Sequence, residues 1–281
     1  MSPLTRTLPV LLVLLPLTIG ALERPLRQAP GGQPLLDATT ANGRTVACLF
    51  DTGATQSVLA PSLLDPTRDR RLGEIAATGA GGTGRFASWQ VRGWQLGDHE
   101  LPPFSALAAD LGASTPCVIG PAAIHEARIE LDFIAQRLRA GAVLTTLGQS
   151  LQYTAVQGFI RLRVPFPGGG EATWILDTGA GTSVLNRRAA ALLGLDPERP
   201  ARWVERRGLD GLRRQHRVHA VAALELLPGA APLSRVEVAE LPVLKTLGID
   251  GSAPGGLLGA DALQGRRWIL DLDRQQLLLV L

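Results

Sequence analysis

The sequence predicts an all-β protein built from two similar lobes, with a site at the interface between them. Three observations carry that prediction. The chain repeats itself, it is rich in glycine and proline (32 and 20 of 281 residues), and long helical patterns are few, which together read as a turn-rich, mainly β chain.

The repeat is plain in the residues. Positions 46–59 and 172–185 align without a gap, 126 positions apart: an apolar strand, Asp-Thr-Gly-Ala, two variable residues, then Ser-Val-Leu. A second pair is "CVIGPAAI" (117–124) and "GLLGADAL" (256–263). A third closes each half, "RIELDFIAQRLR" (128–139) and "RWILDLDRQQLLL" (267–279). Both members of that pair read as β-hairpins with alternating aliphatics. Each half also carries a glycine-bearing hairpin, at 77–97 and 206–229, and the alternation in "VHAVAALEL" favours strand over helix. One helix is expected, in "NRRAAALLGL", with Asn186 as its N-cap. The resulting division is a leader over 1–21, a first lobe over 22–145 and a second over 146–281, with the join near 141–158.

Composition narrows the function. An apolar fraction of 46% supports a sizeable core, and the formal charge of +3 is small for this length. Lys245 is the single lysine, so the basic balance comes from arginine, and aromatics are scarce (4%). No basic stretch is interleaved with stacking rings, which argues against nucleic acid as a partner. At the N-terminus, Arg6, the apolar run Leu8–Ile19 and the small pair Gly20-Ala21 have the layout of a secretory signal peptide. Export to the periplasm or outside the cell is therefore expected, with no stable membrane span after cleavage; an uncleaved anchor is the alternative. Export would permit a disulfide between Cys48 and Cys117.

One Asp-Thr-Gly is a weak signal, usually a strand that ends in a turn. Two, in matching context in duplicated lobes, are much stronger, because two-fold-related lobes bring Asp51 and Asp177 face to face. Two carboxylates in contact cannot both ionise cheaply, so they share a proton and titrate as a unit. Such a pair can split an amide: the ionised member takes a proton from water while the protonated member donates to the carbonyl oxygen. The chemistry calls for no cofactor and no metal. Gly53 and Gly179 would allow close approach of the turns, and Thr52 and Thr178 would hydrogen-bond across the interface. The hairpin carrying Gly79, Gly81 and Gly82 would close over a substrate as a flap.

Through "DTGA" at 51–54 and 177–180, "VIG" at 118–120 and "LLG" at 257–259, the chain resembles the aspartic proteases, and specifically their retropepsin-like branch. The resemblance covers roughly residues 35–280. It implies the bilobal acid-protease fold, two β-barrel-like lobes joined by a sheet, and an endopeptidase with Asp51 and Asp177 as catalytic pair. It also implies a peptide or protein substrate and, with both halves in one chain, a monomer. The alternative function is a module of the same fold that binds peptides without cutting them.

The family often carries an Asp after Asp-Thr-Gly-Ala and an Arg after the aliphatic-aliphatic-Gly motif. Here those places hold Thr55 and Gly181, then Pro121 and Ala260. A covalently joined pair of lobes has less need of that ion pair. The tyrosine of pepsin-like flaps is also missing, since the single tyrosine is Tyr153. Ala54 and Ala180 stand where many pepsin-like enzymes have a hydroxyl, so the pair should titrate higher and work nearer neutral pH.

In the fold this chain resembles, the aliphatic-aliphatic-Gly strand runs beside the strand leading into Asp-Thr-Gly. That implies contact between Cys48 and Cys117, as a disulfide or as packed thiols. The second half has Trp174 and Gly256 at the matching places, which is consistent with one shared volume. The charged run holding His216 and His219 reads mainly as a solvated hairpin face, or else as a basic second flap for acidic substrates. Three apart on a strand, the two histidines are a poor metal pair, and His99 and His125 lack partners. Ser57 and Ser183 have no neighbouring histidine in sequence, and Asp261, matched by Ala122, is assigned a structural role.

Overall fold

The computed structural model describes residues 22–112, 115–141, 148–196, 198–208 and 213–280. The leader over 1–21 and the boundary at 145/146 lie outside those residues. Among the described residues no helix is long and apolar enough to cross a membrane.

The fold is mainly β and two-lobed, and its two halves repeat one strand order. In the first lobe the order is Arg70–Thr78, Thr83–Val91, Phe104–Ala108, Ser57–Leu59, Cys117–Ile119, Thr45–Phe50, Pro34–Thr39. In the second it is Arg202–Arg207, Arg213–Leu224, Leu233–Val238, Val184–Leu185, Gly255–Leu258, Glu171–Leu176, Phe159–Pro165. Within each half the strand before Asp-Thr-Gly pairs in parallel with the aliphatic-Gly strand. Parallel neighbours need long crossovers, and the hairpins between the two motifs supply them.

A third layer joins the lobes. Leu22–Pro25, Arg137–Ala140 and Arg128–Asp132 of the first half lie beside Arg267–Asp271, Gln276–Val280 and Gly148–Val156 of the second. At the centre Arg128 pairs with Asp271 and Asp132 with Arg267, so equivalent residues exchange places as they must across a two-fold axis. Buried Asp271 accepts from Arg128 Nε at 2.8 Å, and buried Glu130 accepts from Arg139 Nε at 2.7 Å and forms an ion pair with Arg267. Pairing keeps these carboxylates from the cost of an isolated buried charge.

Alternation places the side chains. Val46, Cys48 and Phe50 face the core, while Leu49 and Asp51 face the cleft. Cys48 and Cys117 are direct partners in the parallel register and form a disulfide with Cα atoms 4.7 Å apart. Because it closes a loop of 69 positions, replacing both cysteines by alanine should cost about 2–4 kcal/mol of stability. Denaturant unfolding with and without reductant checks this; an unchanged midpoint would overturn it.

The second lobe corrects the shared-volume argument. Trp174 and Gly256 are indeed paired, but a Cβ on Gly256 would strike the Val184 carbonyl oxygen at 1.8 Å, not the indole. Close approach of the antiparallel strand Val184–Leu185 demands the glycine. The expected helix spans Arg187–Leu192, and the Asn186 side chain accepts from Ala189 N–H at 2.8 Å. Short helices also occupy Pro121–Ile124, Pro242–Thr246 and Ala260–Leu263, two of them opened by proline.

Candidate active site

Each Asp-Thr-Gly turn is built in the same way. Asp51 N–H donates to Ile119 O at 3.0 Å and Asp177 N–H to Leu258 O at 2.9 Å; Ala54 and Ala180 close the turns onto Asp51 O and Asp177 O, each at 3.2 Å. Thr52 and Thr178 then lock the turns together. Thr52 Oγ1 donates to Leu176 O at 3.0 Å and accepts from Thr178 N–H at 3.1 Å. Thr178 Oγ1 donates to Phe50 O at 2.8 Å and accepts from Thr52 N–H at 3.0 Å. Both threonines are buried, so these four bonds are shielded from water. The glycines are there for room: a Cβ on Gly179 would lie 2.4 Å from Asp51 Oδ2, and one on Gly53 2.9 Å from Asp177 Cγ.

Asp51 and Asp177 are thereby held close to one another at the floor of the cleft. Their environments differ. Asp51 Oδ1 accepts from Gly53 N–H at 2.7 Å and, across the interface, from Gly179 N–H at 3.1 Å. Asp177 Oδ1 accepts from Ala180 N–H at 3.0 Å, so Ala180 supplies a backbone donor although it lacks a hydroxyl. Burial raises Asp51 above the ordinary aspartate value, against the pull of those amides and of Asp177. Burial raises Asp177 much further, reinforced by the charge of Asp51. These contacts favour Asp177 as the member that carries a proton shared by the pair.

Above the pair lies a cleft of about 970 Å³ between the lobes. Leu49, Val58, Leu107 and Val118 line the first-lobe side; Ile175, Val184, Leu241 and Leu257 line the other. The hairpin expected to act as a flap pairs Arg70–Thr78 with Thr83–Val91 and is turned by a Gly79 N–H to Gly82 O bond of 2.9 Å. Its three glycines have different places. Gly79 lines the cleft, Gly82 takes a positive φ of 149°, and the Gly81 carbonyl accepts from Arg214 Nε of the opposite hairpin. The two hairpins thus meet over the cleft.

The solvated-face reading of the second hairpin needs correcting at His216 and His219. Only 6% and 5% exposed, they lie on opposite faces, and His216 Nδ1 is 2.7 Å from Glu237 Oε2 in the cleft wall. Burial and Arg217 hold the His219 pKa below its usual value. Sequence reading missed Glu237 and Arg206, although strand alignment of the repeats would have put both in the wall. Ser57 and Ser183 brace the motifs: their Oγ atoms accept from Gly120 N–H at 3.3 Å and Gly259 N–H at 3.0 Å. Ser183 Oγ also donates to Asp261 at 2.7 Å. Tyr153, outside the flap, is buried with its hydroxyl on Asp271 O, its pKa pushed up to about 12 chiefly by burial.

Comparison with known proteins agrees with this architecture. Residues 162–262 match an "Aspartyl protease" family model, and residues 38–126 match one described as "gag-polyprotein putative aspartyl protease". No curated protein matches the chain. Among solved structures, an aspartic proteinase from Irpex lacteus superimposes with a TM-score of 0.57 at 12% identity, covering 93% of this chain and 97% of that one. At that identity the likeness speaks to the fold. With both halves matched to aspartyl protease models and one acid-protease fold spanning them, the chain belongs to the aspartyl proteases as a retropepsin-like duplication within a single polypeptide.

Proposed function

We propose that the protein is an endopeptidase in which Asp51 and Asp177 activate water against an internal peptide bond. The observation that carries this reading is the unequal pair of facing carboxyls at the cleft floor. Asp51, which accepts two amide N–H bonds, is suited to remain ionised and take a proton from water. Asp177, holding the shared proton, is suited to donate to the substrate carbonyl oxygen. The cleft is open along the lobe interface and large enough for several residues, which suits an internal bond in a peptide or protein. One chain supplies both aspartates, so a monomer suffices. We place it outside the cytoplasm, where the Cys48–Cys117 disulfide would persist.

Activity requires one proton on the pair. It should fall on the acid side as Asp51 takes up a second proton, and on the alkaline side as Asp177 loses the shared one. Both values are raised, so the bell should be displaced upward, with its alkaline limb well above the ordinary carboxylate value of about 3.9. A kcat/KM profile on a mixed peptide library tests both readings. Cleavage confined to strongly acid solution would overturn the titration argument; no cleavage at any pH would overturn the enzyme.

A further inference from the structure

Duplication gives each cleft-wall position a counterpart in the other lobe, and strand register identifies it. In the first hairpin Ile75 pairs with Phe86 and Ala77 with Gly84; in the second Val204 pairs with His216 and Arg206 with Arg214. Beside them, Leu107 pairs with Val58, and Glu237 with Val184. Where the first lobe has Ala77, Phe86 and Leu107, the second therefore has Arg206, His216 and Glu237. The two walls of one cleft are chemically unlike.

The charged wall is ordered. Glu237 is 2% exposed; its Oε1 accepts from Arg206 Nε at 2.9 Å and from Arg206 Nη2, and its Oε2 meets His216 Nδ1. Burial works to raise the Glu237 pKa, yet the bonds from His216 and Arg206 hold it below its usual value. Its charge is thus already balanced. The Arg206 side chain remains 48% exposed and its guanidinium has donors to spare, since it carries five. Arg202 and Arg235 line the same wall. Apart from Glu237 and the aspartate pair, no carboxylate among the described residues lines the cleft. The wall has an excess of positive charge.

We propose that the second-lobe wall is a subsite for an aspartate or glutamate side chain of the substrate, gripped by Arg206 with Arg202 and Arg235, while the matching first-lobe wall takes an apolar side chain. The proposal deepens the protease reading and rests on it. Glu237 acts as a positioning residue: it holds the Arg206 fork before substrate arrives, so less ordering is left for binding. A carboxylate is favoured because charge-assisted bonds to a guanidinium are stronger than neutral ones.

The test uses matched peptides carrying glutamate or glutamine at successive positions on either side of one cleavable bond. It uses also the same sequences with a reduced, non-hydrolysable bond for calorimetry. At one position glutamate should be preferred over glutamine by about ten- to a hundredfold, in kcat/KM and in affinity alike. The triple variant Arg206→Ala, His216→Phe, Glu237→Leu gives the second lobe the residues found at the equivalent first-lobe positions and should turn the preference toward leucine. Should that variant fail to fold, Arg202→Gln with Arg235→Gln, both at exposed positions, should still lower the ratio several-fold. Equal binding and cleavage of glutamate and glutamine peptides would overturn the subsite, as would a ratio unmoved in the variants. Absent cleavage with the affinity ratio intact would overturn the catalytic reading and leave the subsite standing.

Discussion

Asp177→Asn should abolish peptide cleavage while raising the stability of the fold at neutral pH. The activity loss follows from the proposed role: an amide cannot donate the shared proton, and general acid–base catalysis of this kind is worth roughly 10²–10⁴-fold. The stability gain follows from the same burial. Asp177 binds its proton more tightly folded than unfolded, because burial and the charge of Asp51 penalise its anion. Folding stability from this group is complete below the unfolded value of about 3.9, and it is lost as pH rises through the raised folded value. Asparagine does not titrate, so the variant should escape that loss and melt higher than wild type at neutral pH, the difference vanishing in acid. Thermal unfolding across pH, paired with a cleavage assay, reads both halves. Cleavage at the wild-type rate would sink the two-aspartate mechanism, and a lower melting temperature at neutral pH would sink the electrostatic account.

Thr52→Val should weaken the join between the lobes far more than its small change in shape suggests. Valine is nearly isosteric, but it removes the hydroxyl that donates to Leu176 O and accepts from Thr178 N–H. Each buried group left unpaired costs about 1–3 kcal/mol, so a loss of about 2–6 kcal/mol is expected from a total stability of roughly 5–15. Thr178→Val should behave alike, since its bonds to Phe50 O and Thr52 N–H mirror the first set. The four bonds join the same two turns, so the double variant should cost less than the sum of the singles. Coupling of about 0.5–3 kcal/mol is usual for residues in one network. Serine at either position should restore most of the loss. Additive singles would mean that the threonines do not act as one unit.

The central features were legible because they are local or repeated. A strand ending in Asp-Thr-Gly is a local pattern, and its recurrence placed Asp51 and Asp177 in equivalent turns. The Asn186 cap and the hairpin at 128–139 were legible for the same reason. The short helix Pro242–Thr246 was not, because a single turn is too short to show a period. The role of Gly256 was misjudged, since the close approach of Val184 comes from a strand more than seventy positions away. His216 read as solvated because charge in the surrounding run suggests exposure, and only the pairing of Arg213–Leu224 with Leu233–Val238 covers it.

From residues alone came the duplicated all-β plan, the two turns, the candidate pair and the supporting threonines and glycines. The tertiary structure decided what depends on distance and on which face meets which. It set Asp51 and Asp177 in unequal hydrogen-bonding environments. It brought Arg214 against Gly81 across the cleft, and gathered Arg206, His216 and Glu237 into one wall. A repeat tells which residues are equivalent, because equivalence is carried by sequence order. It cannot tell how equivalent residues differ in charge and burial, because those properties arise only when distant strands pack and exclude water.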